Sequence, residues 1–148
     1  MTIVLIILLM FGGLNLFESS LLAFGTAGTG GFGVRNGSIL PYNNPYVEIV
    51  LGIGMIVFGV NFNIYYFILI GKVKDVLKNE ELRYYLLIVF GAVVLIVLNI
   101  CKTYTSFSHC IRDVFFSVSS VITTTGYSTA DFGKWPLFSQ VILLILMF

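Results

Sequence analysis

Two short stretches of the chain combine threonine, glycine and an aromatic residue in the same order. One is TGGF at residues 29–32 and the other is TTGY at residues 124–127. Glycine adopts backbone conformations that other residues avoid, so such a stretch can turn successive carbonyl groups to one side. Carbonyl oxygens arranged in this way can replace the hydration shell of a cation. The two stretches therefore predict cation-binding segments, to which the threonine hydroxyls add further oxygens.

The surroundings of the two stretches repeat as well. In both copies an acidic residue lies thirteen residues before the glycine, and a short, mostly apolar segment lies between them. We expect short helices at residues 18–27 and 113–123. At about 1.5 Å per residue, neither helix is long enough to cross a hydrocarbon core about 30 Å thick. The matching pairs are Gly31 with Gly126, Phe32 with Tyr127, and Glu18 with Asp113.

Simpler interpretations exist for the individual residues. Glycines in membrane helices often serve close packing, which would account for a single TGGF but not for two copies in matching positions. Glu18 and Asp113 are predicted to be acids at helix N-termini, where they favour the free N–H groups. The alternative is that they attract cations at the outer mouth of a pore.

The composition is that of a membrane protein. Hydrophobic residues make up 58% of the 148 residues and charged residues 10%, against about 45–50% and about 25% in ordinary soluble domains. Mean hydropathy is +1.01. A net charge of +1 without a basic stripe gives no support for nucleic-acid binding. The spacing of Cys101, His109 and Cys110 does not fit a zinc site, and the sequence contains no pattern typical of a catalytic centre.

The distribution of basic residues predicts the topology. Residues 72–83 contain four of the eight Lys and Arg residues, which places this loop in the cytoplasm. We expect residues 45–71 to cross the bilayer inward and residues 84–100 to cross it outward. Residues 2–16 and 136–148 are apolar segments shorter than a full span, and both ends of the chain are expected to be cut from a longer protein.

This topology predicts an all-α polytopic membrane protein with helix–pore loop–helix repeats and re-entrant selectivity-filter loops, since irregular backbone at membrane depth is tolerated only where it is buried or lines a watery cavity. We expect one N-terminally truncated repeat at 1–71, a cytoplasmic loop at 72–83, and a C-terminally truncated repeat at 84–148. Asn61 and Asn63 are polar residues in an apolar segment. They are expected to bond a neighbouring helix, with lining of the cavity as the alternative. The predicted filter residues are Thr29, Gly30, Gly31, Phe32, Thr124, Thr125, Gly126 and Tyr127.

The chain resembles the Trk/Ktr/HKT superfamily of potassium transport proteins, and within it the TrkH-type pore subunits. The stretches that carry the resemblance are AFGTAGTGGF (23–32), GVNFN (59–63), TTTGYSTADF (123–132) and WPLF (135–138). The resemblance implies potassium uptake across the cytoplasmic membrane through four non-identical repeats in one polypeptide. This chain would supply parts of the second and third repeats, and Gly31 and Gly126 would be their filter glycines.

The resemblance also implies partners and leaves two alternatives. The implied partners are the remaining repeats, a second copy in a homodimer, the lipid bilayer and a cytoplasmic nucleotide-binding regulatory subunit of the TrkA kind. The implied transported ion is K⁺, with no organic cofactor and no enzymatic activity. A KtrB-like, sodium-dependent subunit and a non-conducting membrane remnant are the alternatives.

Overall fold

The computed structural model describes residues 1–34, 38–61, 64–66, 70, 79–100, 104 and 106–148. Within these residues there are six α-helices and two short 3-10 turns, and no β-strand occurs in this part of the chain. The helices are α1 (Thr2–Phe11), α2 (Leu16–Ala27), α3 (Pro45–Phe58), α4 (Glu80–Ile100), α5 (Phe107–Ile122) and α6 (Leu137–Leu146).

Local sequence explains most helix boundaries. Helix α1 stops at Gly12, and Gly13 takes a φ of +86° that glycine adopts at no steric cost. Helix α3 begins at Pro45 and is capped by the preceding residue, Asn44. The Asn44 side chain accepts a hydrogen bond from the Tyr46 backbone amide at 3.0 Å. The side-chain nitrogen of Asn44 also donates to the Gly12 carbonyl at 2.8 Å. This bond connects the start of α3 to the end of α1.

The two predicted short helices are present. Helix α2 has 12 residues and closely matches the predicted range 18–27. Helix α5 has 16 residues and begins at Phe107, six residues before the predicted start at Asp113. Both end within one residue of the predicted position, and each is followed by one of the two threonine–glycine stretches.

The continuous span predicted at residues 45–71 is interrupted. Helix α3 ends at Phe58, and backbone that is not helical follows at Val60 and Asn61. Two tyrosine hydroxyls compensate the open end of the helix: Tyr85 donates to the Ile56 carbonyl at 3.4 Å, and Tyr65 donates to the Val57 carbonyl. Side chains therefore satisfy carbonyls that a longer helix would have paired with its own amides.

The helices pack as two groups of three in the same order along the chain. Helix α2 packs against α1 and α3, while α4 packs against α5 and α6. The first group buries a core that includes Leu9, Leu22 and Leu51, and the second buries one that includes Ile96 and Val114. Helix α3 also packs along α5, and this seam joins the two groups.

One helix, α4, is long and apolar enough by length and composition to cross a bilayer, with a mean hydropathy of 2.2 over its best window. The other apolar helices of the described chain are shorter, at 10–17 residues. Residues 72–78 of the predicted cytoplasmic loop lie outside the described residues.

Candidate functional site: two matched helix-end loops

Both short helices end in the same hydrogen-bonding pattern. The Gly30 amide donates to the Gly25 carbonyl at 2.7 Å, and the Thr29 amide donates to the Thr26 carbonyl at 3.3 Å. These two bonds are those of a Schellman C-cap, which turns the chain away from the helix. The same bonds recur 95 residues later: the Thr125 amide donates to Ser120 and the Thr124 amide to Val121, both at 3.0 Å.

The backbone angles repeat in the two loops as well. We call residues 29–32 the first TG segment and residues 124–127 the second TG segment. Positive φ values occur at the first threonine and at the glycine of each, with 50° and 65° in the first segment and 55° and 85° in the second. The residue between them does not have a positive φ in either segment.

The threonines with positive φ are under strain. A β-branched residue with positive φ is an outlier, because its Cβ approaches the following carbonyl at a cost of roughly 1–2 kcal/mol. Glycine is the usual residue at this position of a helix end. Thr29 and Thr124 are both exposed. Strained residues of this kind cluster at functional sites.

The fold brings the two TG segments together. A Cβ placed on Gly31 would overlap the Thr125 carbonyl oxygen and come within 3.3 Å of the Gly126 carbonyl carbon. Beyond the segments, the Ser128 amide donates to the Ser38 hydroxyl at 3.3 Å. The two segments are therefore direct neighbours, and glycine at position 31 is required both by its φ and by this close approach.

The two aromatic residues of the segments behave differently. Tyr127 is buried, and its hydroxyl donates to the carbonyls of Leu22 and Phe32, both at 3.3 Å. It packs against α2 and the first TG segment. The Phe32 ring is 78% exposed and lies within 3.3 Å of a Cβ built on its own neighbour Gly30. Phe32 therefore does not pack behind its segment within the described chain, unlike Tyr127.

Hydroxyl groups hold the second TG segment in place from behind. The Ser120 hydroxyl donates to the Tyr127 carbonyl at 2.6 Å. The Thr123 and Thr125 hydroxyls share a buried hydrogen bond of 2.8 Å. Thr125 is only 3% exposed, so its side chain supports the segment from within.

A seam between α3 and α5 positions the second segment against the first group of helices. At one end Arg112 forms a 2.5 Å ion pair with Glu48, and both side chains are largely buried. Farther along, a Cβ on Gly52 would lie 2.7 Å from the Phe115 ring. At the far end, a Cβ on Gly59 would lie 2.8 Å from Thr123. Small residues thus let the two helices approach closely.

One feature of the sequence points to this ion pair. Glu48 is the single acid in the apolar range 45–71, and an ionisable residue in such a segment generally has a partner. The partner, Arg112, lies 64 residues away in the chain. No local pattern connects the two positions.

The two matched acids differ in their surroundings. Glu18 lies in the first turn of α2, as predicted for an N-terminal helix acid. The prediction is wrong for Asp113, because α5 begins at Phe107 and has no acid in its first turn. Asp113 instead accepts a hydrogen bond from the Tyr104 hydroxyl at 3.1 Å. Burial, and after it the Asp113 charge, raises the pKa of Tyr104 to about 12, so this hydroxyl stays protonated at neutral pH.

The remaining polar candidates have structural partners. The Asn61 side chain donates to the Glu81 carboxylate on α4 at 3.2 Å, which agrees with the predicted bond to a neighbouring helix. Asn63 and Cys101 lie outside the described residues. Cys110 is buried in the second core, and His109 contacts Arg112 at 3.0 Å. Among the described residues no group of His, Cys, Asp and Glu could hold a metal ion.

Comparison with known proteins identifies the family of the chain. Residues 6–148 match the model of the TrkH family, described as a cation transport protein. The chain is 30% identical over 147 residues to the Trk system potassium uptake protein TrkH of Escherichia coli K12. It is 31% identical over 142 residues to the Trk system potassium uptake protein TrkG of the same strain. These matches cover 97% and 92% of this chain, but only 30% and 28% of the relatives.

The crystal structure of the potassium transporter TrkH from Vibrio parahaemolyticus has the same fold. It superimposes with a TM-score of 0.91 at 25% identity, covering 98% of this chain and 32% of that protein. The chain thus spans about a third of the length of the proteins it matches. Since the family model covers nearly every residue, the chain belongs to the TrkH family of cation transport proteins.

Proposed function

We propose that this chain supplies two adjacent filter strands of a potassium-conducting pore. The observation that carries the proposal is the matched pair of TG segments, each with positive φ at its threonine and its glycine. The residues assigned to the filter are Thr29, Gly30, Gly31, Phe32, Thr124, Thr125, Gly126 and Tyr127.

The chemistry follows from the backbone. Carbonyl oxygens on one side of each segment can replace the waters of a dehydrating cation, and exposed Thr29 and Thr124 add hydroxyl oxygens. Helices α2 and α5 end directly before the segments, so the partial negative charge of their C-termini favours a cation there. The site needs no carboxylate, because many weak carbonyl and helix dipoles stabilise the charge of the cation. Such weak contacts allow the ion to leave as well as to bind.

Potassium is the proposed ion because the relatives are named potassium uptake proteins. The chain spans about 30% of the Escherichia coli TrkH protein, so we propose that further repeats of the same subunit complete the pore. Residues 1–71 and 84–148 would each form part of one repeat, joined by a cytoplasmic loop at 72–83, in a multi-pass protein of the cytoplasmic membrane. A homodimer and a nucleotide-binding regulatory subunit of the TrkA kind are the proposed partners. We propose no enzymatic activity and no organic cofactor.

Uptake measurements test this function. The complete subunit that contains this segment should restore growth of a potassium-uptake-deficient bacterium at low external potassium and should take up rubidium. Uptake should be retained without sodium. Loss of uptake in the absence of sodium would instead indicate a KtrB-like subunit, which depends on that ion. Normal membrane insertion without rubidium uptake, in the presence of its regulatory subunit, would instead support a non-conducting remnant.

The start of α4 is predicted to face the cytoplasm, since four basic residues lie at 72–83. Glu80 is a suitable probe position, because it is exposed. Asn79 is less suitable, since its side chain accepts from the Glu81 amide at 3.0 Å. In a background without Cys101 and Cys110, Glu80→Cys should resist a membrane-impermeant maleimide in intact cells and react after permeabilisation. Ready labelling from outside would contradict the predicted topology.

A further inference from the structure

One serine in the last turn of α5 makes three hydrogen bonds to the second TG segment. The residue is Ser120, which is 2% exposed. Its backbone carbonyl accepts from the Thr125 amide at 3.0 Å and from the Gly126 amide at 3.4 Å. Its hydroxyl donates to the Tyr127 carbonyl at 2.6 Å, and this bond is buried. A single residue thus contacts each of the last three residues of the segment.

These bonds fix the directions of the carbonyl groups in the segment. In a planar trans peptide the amide N–H and the carbonyl point in opposite directions, and the peptide bonds of the segment are trans. Two amides of the segment point at the Ser120 carbonyl, so the carbonyls of the same two peptide groups, those of Thr124 and Thr125, are directed away from it. The Tyr127 carbonyl is directed toward Ser120 instead. The orientation of the carbonyls therefore reverses between Thr125 and Tyr127.

The first TG segment has the same arrangement with a different hydroxyl donor. The position equivalent to Ser120, 95 residues earlier, is Gly25. The Gly25 carbonyl accepts from the Gly30 amide at 2.7 Å, and a Cβ on Gly25 would lie 3.4 Å from the Phe32 carbonyl oxygen. Glycine has no hydroxyl to donate. The Tyr127 hydroxyl takes that place, since it donates to the Phe32 carbonyl at 3.3 Å and would overlap a Cβ on Gly25.

The same carbonyl is therefore bonded by a hydroxyl in both segments. It belongs to the residue after the glycine, which is Phe32 in the first segment and Tyr127 in the second. The two donors differ in origin, because Ser120 belongs to the helix that leads into its own segment, whereas Tyr127 comes from the neighbouring segment. Two unrelated side chains thus supply one equivalent bond, which indicates that the fold requires the bond rather than a particular residue.

We propose that the hydroxyls of Ser120 and Tyr127 are positioning groups of the ion filter. Each holds the carbonyl after the glycine toward the protein, and this restricts the rotation of the peptide groups before it. Those preceding groups carry the carbonyls that are available to a cation. The two hydroxyls thereby set how closely the oxygen ligands approach the ion, and with it the preference for potassium over sodium. This inference rests on the proposed function, because it requires both TG segments to line the pore.

Removing the serine hydroxyl tests the second segment. Ser120→Ala in the complete subunit should lower the preference for potassium over sodium by about fivefold, which converts to about 1 kcal/mol, the typical net contribution of a hydrogen bond. Ser119→Ala is the matched control, because Ser119 is also buried and its hydroxyl donates to the Phe115 carbonyl of the same helix at 2.7 Å. The control variant also loses a hydroxyl-to-carbonyl bond of α5, but it should keep the ion preference.

An exchange of donors tests whether the two hydroxyls are equivalent. Tyr127→Phe removes the donor of the first segment and should lower the ion preference to a similar extent. Adding Gly25→Ser should restore most of it, because the serine hydroxyl can bond the Phe32 carbonyl once the Tyr127 hydroxyl no longer occupies that space. Gly25→Ser alone should impair the ion preference, since its side chain overlaps the tyrosine hydroxyl. An effect of Tyr127 through its bond to the Leu22 carbonyl predicts no restoration.

The readout is relative rubidium and sodium uptake per amount of protein in the membrane. An unchanged ion preference in Ser120→Ala would overturn the proposal, whether the variant accumulates normally or at a lower level, because the hydroxyl would then have a structural role alone. Failure of Gly25→Ser to restore the preference of Tyr127→Phe would overturn the equivalence of the two donors. Absence of rubidium uptake by the unsubstituted subunit would refute the proposed function itself, so the two failures are distinguishable.

Discussion

Replacing Gly126 with serine is expected to reduce the preference for potassium over sodium by about tenfold in the complete subunit. A residue with a side chain at a φ of +85° costs roughly 1–2 kcal/mol, and about 1.4 kcal/mol corresponds to a factor of ten. The strand can relieve this strain by rotating its carbonyls away from the ion. Potassium then loses part of the ligand set that replaces its hydration shell.

Gly31→Ser should act in the same direction with a larger effect. Its φ is +65°, and its side chain would also overlap the Thr125 carbonyl of the neighbouring segment. Gly91→Ser is the matched control, since Gly91 lies within α4 and a Cβ there meets nothing within 4 Å. That variant should keep both expression and ion preference.

The measurement is relative rubidium and sodium uptake, normalised to the amount of protein in the membrane. A purely structural role for the glycines predicts lower protein levels with an unchanged ion preference. If both filter variants accumulate normally and discriminate as the unsubstituted protein does, Gly31 and Gly126 do not belong to the filter.

Breaking the Glu48–Arg112 ion pair is expected to produce the largest loss of stability. The side chains are 7% and 15% exposed and their charged atoms are 2.5 Å apart. Removing one partner of such a pair leaves a buried charge uncompensated, at a cost of about 3–5 kcal/mol. Glu48→Gln and Arg112→Gln should therefore each lower the unfolding midpoint of the purified subunit markedly or prevent its accumulation.

The double variant distinguishes the pair from its two members. Glu48→Gln with Arg112→Gln removes both charges, so it should be more stable than either single variant. Lys134→Gln is the matched control, because the Lys134–Asp131 pair is exposed and exposed pairs contribute little. Midpoints are measured by heating in detergent followed by size-exclusion chromatography. Additive losses in the double variant would mean that the two charges are stabilised independently.

The repeat and its local chemistry follow from short stretches of the sequence. Threonine followed by glycine thirteen residues after an acid predicted two short helices and the turns that end them. This information is local, since a Schellman cap and a positive φ depend on residues within one helical turn. The matching bonds at Gly30 and Thr125 therefore arise from similar short segments. The strain at Thr29 and Thr124 was missed, because threonine has no intrinsic preference for positive φ.

Packing between the helices determines which of the equivalent residues are buried and which charges pair. Phe32 and Tyr127 occupy matching positions, yet one is exposed and the other buried, because Tyr127 packs against α2 at Leu22 and Gly25. Helix α3 stops at Phe58 although the apolar pattern continues, and the hydroxyls of Tyr65 and Tyr85 donate to carbonyls in its last turn. Glu48 finds Arg112 across 64 residues of sequence. Each of these outcomes depends on contacts between distant segments, which no local pattern specifies.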